Sequence, residues 1–283
     1  MPASLELGGS FPYATALRKE LSWRNQQYAQ RLGQPYCESI GTPPVVCYMP
    51  SEDAARHGNF LPQTYQAILK NPAWRKRLDK PHTSAWRALP RDGRRRWREL
   101  DSSTSSDALL MNVFCFPGTL KDGRVFRLLG VEAGAKPEFG VKARVPLASG
   151  RVDRTEIDMR LGDLLVESKL TENDFQKKSA SVVESYRDFA EVFDSRRLRK
   201  DKGGYLSYQL IRNVLAAYAW DCSFCVMMDA RRPDLREAWY SVMSCVRIHS
   251  LRPRCKMLTW QELARVLPAK LQKFLDEKYG ITG

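Results

Sequence analysis

Asp158, Glu167 and Lys169 are two acids and a base that one tight turn can bring to the same spot. They lie in Thr155 to Leu170, which reads TEIDMRLGDLLVESKL. Ile157, Met159 and Leu161 alternate with polar residues as in a strand, and Leu164 and Val166 begin a second strand. Gly162-Asp163 between them suits a two-residue hairpin turn with Gly at its first central position. Such a turn pairs Leu161 with Leu164. Counting outward, Asp158 faces Glu167 and Glu156 faces Lys169, with all four side chains on one face. Carboxylates held this close repel one another, and a divalent cation relieves the repulsion. The other reading is a charged, exposed hairpin face, which a surface strand carries at little cost.

The elements that must hold this hairpin can be followed along the chain. Tyr13 to Leu32 has the apolar spacing of an amphipathic helix. Residues 34–62 are broken by proline and glycine, and Gln63 to Leu78 is predicted helical with an interruption at Pro72. Ser102 to Ser106 caps a buried helix over Asp107 to Phe114. Asp122-Gly123 reads as a turn, and Phe139 to Leu147 as a strand. After the hairpin come a predicted helix at Ser179 to Phe193 and a second at about Tyr205 to Ala219. On that second helix Gln209 and Asn213 sit four residues apart on one face. A strand at Ser223 to Asp229 follows, and Thr259-Trp260-Gln261-Glu262 is a capping box opening a last helical stretch. The middle of the chain is therefore helix, three strands, helix, strand: an α/β core with a mixed sheet. The boundaries expected are a mainly helical, basic region at 1–100, the core at 101–230 and a helical extension at 231–283.

The formal net charge is +14, and much of it is local. Between Thr64 and Arg98 there are eleven lysines and arginines against two acids, Asp79 and Asp92. Tryptophans interleave with the charge: Trp74 before Arg75, Lys76 and Arg77; Trp86; and Trp97 between Arg94, Arg95, Arg96 and Arg98. Basic residues beside aromatics suit phosphate contact with base or sugar packing. The alternative is a helical subdomain with core tryptophans and solvated arginines. Arg196 to Lys202 is a second basic patch.

At 43% hydrophobic residues the chain can bury a substantial core, so a disordered polyelectrolyte is excluded. The start, MPASLELGGSF, lacks a basic leader and apolar run, and the longest apolar stretch, near Val214 to Met228, is interrupted by Asp221. Seven scattered cysteines without an export signal point to a reducing cytoplasm, and Cys222 and Cys225 read as structural. The three histidines have no ligand spacing, which argues against zinc.

Asp158 followed by Glu167-Ser168-Lys169, in this order of elements, resembles the PD-(D/E)XK nuclease superfamily over about Ser102 to Asp229. SSDALLMNVF, RTEID, ESKLTENDF and YQLIRN resemble its restriction-endonuclease-like branch. Asp107 departs from the pattern, which leads one to expect a more neutral helix residue there. The resemblance implies a restriction-endonuclease-like fold and Mg²⁺-dependent hydrolysis of DNA phosphodiesters, with Mn²⁺ as a substitute. It implies Asp158, Glu167 and the Ser168 carbonyl as metal ligands, Lys169 beside the attacking water, and Gln209 lining the site. Glu156 would hold Lys169 by an ion pair. Arg75, Lys76, Arg77, Arg94, Arg95, Arg96 and Arg98 are the candidate DNA contacts. A homodimer is compatible with this reading, and a membrane role is not expected. The alternative is a nucleic-acid-binding protein that keeps the fold without cleavage.

Overall fold

The computed structural model describes residues 12–82, 89–90 and 97–283. Helix α1 (Pro12–Leu32) is followed by a small hairpin, Tyr36–Glu38 with Val46–Tyr48. The basic segment forms the helix Pro62–Lys70 and a short turn of helix at Pro72–Arg75, broken where the proline predicted it. Helix α2 (Ser106–Phe114) begins where Ser105 Oγ accepts from the Ala108 N–H at 3.2 Å.

The central sheet is built from β1 (Pro137–Lys142), β2 (Glu156–Leu161) and β3 (Leu164–Ser168), followed by helix α3 (Tyr208–Ala219) and strand β4 (Ser223–Met228). Helix α4 (Pro233–Met243), β5 (Cys255–Thr259) and helix α5 (Ala269–Tyr279) complete it. Among the described residues the strand order is β5-β4-β3-β2-β1. The first three strands are antiparallel neighbours, while β3, β4 and β5 run parallel. Parallel neighbours need long crossovers, and α3 and α4 supply them. This is a mixed α/β sheet. The stretch 231–283, expected to be helical, also contributes an edge strand.

Period-two alternation sorts the sheet's side chains between two cores. Met159, Leu161, Leu164, Val166, Cys225 and Met227 pack under α1, α2 and α5. Leu165, Phe224, Val226 and Met228 pack under α3 and α4. Cys222 and Cys225 belong to opposite clusters, and burial pushes their thiols up to about 11 and about 12, which fits a structural role.

Two expectations change. Asp122 is a helix cap: its side chain accepts from the Arg124 N–H at 2.8 Å and opens the helix Gly123–Leu129. The predicted helix Ser179 to Phe193 is two short turns, Ala180–Val183 and Phe189–Val192. Between them the backbone pairs elsewhere. The Ala148 N–H donates to the Ser185 carbonyl and the Arg187 N–H to the Pro146 carbonyl.

Candidate active site

The hairpin forms in the expected register, with Leu161 opposite Leu164, Arg160 opposite Leu165 and Met159 opposite Val166. Gly162 has φ +61° while Asp163 does not enter the left-handed region, the pattern of a type II′ turn. The ladder then stops. The Ser168 N–H, which a continuing ladder would give to the β2 backbone, donates instead to Asp158 Oδ2 at 2.8 Å. The strands therefore diverge where the acids sit. On the other side of β2, Phe139 pairs with Met159 and Val141 with Ile157, leaving Gly140 across from Asp158 with φ +66°.

Glu167 and Lys169 extend beyond Leu165 on the α3 side. Lys169 Nζ donates to Glu167 Oε1 at 2.9 Å and to Gln209 Oε1 at 2.8 Å. Asn213, one turn after Gln209, donates to Glu167 Oε2 at 2.9 Å. Arg212 braces Asn213 Oδ1 through Nη2 at 2.8 Å. Glu167 and Lys169 are almost completely buried, so both charges are fixed by these partners. Burial alone would lower the Lys169 pKa, but Glu167, Glu172 and Asp158 outweigh it and hold the ammonium charged. Asp158 goes the other way. Burial raises its carboxyl well above the usual range, and Glu167 and Asp107 raise it further, against Lys169 and the Ser168 N–H.

The structure thus brings Asp158, Glu167, Ser168, Lys169 and Gln209 together. Glu156 does not hold Lys169. It accepts from Arg77 Nη1 at 3.0 Å, because the two strands have parted before the expected pair can form. Asp107 lies in the first turn of α2, buried, and accepts from Arg77 Nη2 at 2.9 Å and Lys80 Nζ at 2.6 Å. The spacing of Gln209 and Asn213 was visible in the sequence, but nothing there linked Asn213 to Glu167. Asp107 and Arg77 were legible only as a departure from a pattern and as one basic residue among many.

The basic segment divides. Arg75 and Lys76 are exposed, while Arg77 is buried against the acids. Arg98 is exposed and paired with Asp79 at 2.9 Å. Arg94, Arg95 and Arg96 lie outside the described residues. Trp74 donates to the Pro137 carbonyl at 3.0 Å and packs edge-on against Phe139, and Trp97 is buried beside Val45 and Cys47. These two tryptophans are therefore packing residues.

Lys169 and Gln209 open onto a cleft of about 620 Å³ whose walls include Arg18, Ser105, Thr171 and Glu172. Arg18 Nη2 donates to the Thr171 carbonyl at 2.8 Å, tying α1 to the loop after β3. Trp260 Nε1 donates to the Lys169 carbonyl at 3.0 Å from below.

Among the described residues no group of three or more His, Cys, Asp and Glu side chains forms a ready-made metal cage. Mg²⁺ does not require one, since it commonly takes one or two carboxylates and keeps several waters. Asp158 and Glu167 supply hard oxygen donors, and the raised Asp158 carboxyl marks a place short of positive charge. The donor set fits Mg²⁺ or Mn²⁺.

Among the described residues no helix is long and apolar enough to cross a membrane. No curated protein and no solved structure matches the chain. A family model described as Restriction Endonuclease associating with ARP matches residues 19–280. A restriction endonuclease family implies DNA as substrate, in keeping with a positively charged chain. The matched span takes in most of α1, the whole sheet with its acids and lysine, and all of α5, and the chain belongs to this family of restriction endonucleases associating with ARP.

Proposed function

We propose that this chain is a Mg²⁺-dependent DNA endonuclease with a PD-(D/E)XK site, in which Mn²⁺ can replace Mg²⁺. The observation that carries the reading is the Lys169 ammonium, buried and held between Glu167 and Gln209 with Asp158 close by. Asp158 and Glu167 would hold the ion. The Ser168 N–H points to Asp158, and in extended backbone the carbonyl of the same residue lies on the same strand edge, so it can join them. A bound divalent ion supplies charge for the scissile phosphate and lowers the pKa of its water. Lys169, held by Glu167 and Gln209, would orient that water or take its proton and would help stabilise the pentacovalent phosphate. Gln209 and Asn213 fix the lysine and the glutamate against rotation, and the buried floor keeps bulk water from screening them. Association with ARP, carried by the family's description, belongs to the same proposal.

The test separates cutting from binding. Plasmid nicking with Mg²⁺ or EDTA is run beside a binding measurement on the same DNA. Glu167→Ala and Lys169→Ala should each abolish Mg²⁺-dependent cleavage. Both should bind DNA within about tenfold of the parent, a shift of about 1.4 kcal/mol, because phosphate contacts are spread over the basic surface. A parent that binds DNA and never cuts would establish the binding-only alternative. Cleavage that survives Glu167→Ala would put the chemistry elsewhere.

A further inference from the structure

The geometry points to Arg77 and Lys80 as built-in cations that close half of the acid cluster, so that the site takes a single divalent ion. This rests on the metal-dependent reading above.

Among the described residues four carboxylates lie near the parting of β2 and β3 without closing into one cage: Asp107 and Glu156 share the Arg77 guanidinium, and Asp107 and Glu167 both act on Asp158. A two-ion phosphodiesterase would use several of them as shared ligands for ions about 3.5–4 Å apart. Here Asp107 and Glu156 are already taken. The Arg77 guanidinium spans them, with Nη2 on Asp107 Oδ2 at 2.9 Å and Nη1 on Glu156 Oε2 at 3.0 Å. Lys80 Nζ adds a 2.6 Å contact to Asp107 Oδ2. A guanidinium with two separate carboxylates is a fixed fork, buried on the Asp107 side, and not a mobile surface charge.

Its place relative to Asp158 follows from Gly140. A Cβ built on Gly140 would strike Arg77 Nη1 first and come within 3.3 Å of Glu156 Oε2. Gly140 is the β1 residue across from Asp158, between the pairs Phe139–Met159 and Val141–Ile157. The guanidinium therefore lies on the backbone next to Asp158, where only glycine leaves room. Asp158 itself accepts from the Ser168 N–H, and among the described residues no lysine or arginine lies at ion-pair distance from it. Asp107 and Glu156 are answered by Arg77 and Lys80, and Glu167 by Lys169 and Asn213, so Asp158 alone has no side-chain partner among the described residues and one ion has a place there, beside Glu167. Arg77 acts through the acids, as a positioning residue.

Mn²⁺ is counted by electron paramagnetic resonance against purified full chain without DNA. One equivalent in the parent, two in Arg77→Gln/Lys80→Gln and one in Arg77→Lys is the expected result. The glutamines keep donors while removing charge, and the lysine variant tests rescue by charge. Two equivalents in the parent overturn the inference, as does a double variant that binds one ion with unchanged affinity. Should the double variant lose its near-UV circular dichroism, the parent's stoichiometry decides alone. No Mn²⁺ binding in any of the proteins sinks both this inference and the metal-dependent reading. Binding that is the same in all of them leaves that reading standing and removes only Arg77 and Lys80 from it.

Discussion

At the scale of single residues, the site stores unfavourable electrostatics that a ligand can release. The Asp158 carboxyl is raised by burial and by its acidic neighbours, so in the folded chain it prefers its proton. A raised acid works against the fold once pH exceeds its ordinary, unfolded value, and the penalty grows until pH passes the folded value. Asp158→Asn keeps an acceptor for the Ser168 N–H and removes that penalty. In EDTA the variant should be more stable than the parent at pH 7.5, by on the order of 1 kcal/mol. The two should converge below about pH 3, under the ordinary aspartate value of 3.8, where both states of the parent hold the proton. Mg²⁺ should raise the parent's Tm and leave the variant's unchanged. Equal denaturation curves at pH 7.5 would show that Asp158 is not under strain. Lys169 differs because Glu167 and Gln209 hold its ammonium directly.

At the scale of elements, two helices far apart in sequence frame the sheet. Helices α1 and α5 pack over one face, and Lys278 of α5 is wholly buried between them. Its Nζ donates to Asn25 Oδ1 at 2.6 Å and lies 3.9 Å from the centroid of the Tyr48 ring. Burial still drives its pKa well below the ordinary lysine value. The unfolded chain therefore binds a proton that the folded chain resists, and this opposes folding more strongly as pH falls from 10.5 toward the folded value. Lys278→Met should stabilise the protein by about 1–3 kcal/mol at pH 6, with a smaller gain at pH 9. Asn25 Oδ1 remains satisfied by the Tyr48 hydroxyl at 3.0 Å. Urea denaturation at the two pH values reads the difference. A variant less stable than the parent at pH 6 would mean that the ammonium–ring contact outweighs desolvation.

At the scale of the whole molecule, charge decides how a polyanion is met. Arg75 and Lys76 are exposed, Arg196 is 90% exposed at the side chain, and the net charge is +14. Phosphate contacts release counterions, so DNA affinity should fall steeply with salt. Replacing Arg94, Arg95 and Arg96 by alanine should lower the slope of log K against log salt by up to about three, roughly 0.9 for each phosphate no longer neutralised. Filter binding from 50 to 300 mM salt, about the range where such slopes are read, checks this. An unchanged slope would move the contact surface to Arg196 through Lys202. Arg77 is not part of that surface, since Asp107 and Glu156 hold it inside.

The sequence by itself determined the hairpin, its register and the turn, because a period-two apolar pattern around Gly162 admits one pairing that buries Met159, Leu161, Leu164 and Val166 together. It also determined the caps at Ser105 and Thr259, the break at Pro72, and helix α3, since each depends on neighbours within one or two turns. What depended on partners far along the chain was decided only by the tertiary structure. The helix expected at Ser179 to Phe193 broke because Ser185 and Arg187 found backbone partners near Pro146. The edge strand β5 is short, and its partner β4 lies across a helix crossover. Above all, the charge pairing was settled in three dimensions. Glu156 went to Arg77 and Asn213 to Glu167, because β2 and β3 part at Asp158 and because segments 79 and 46 residues away in sequence arrive there to answer the two carboxylates.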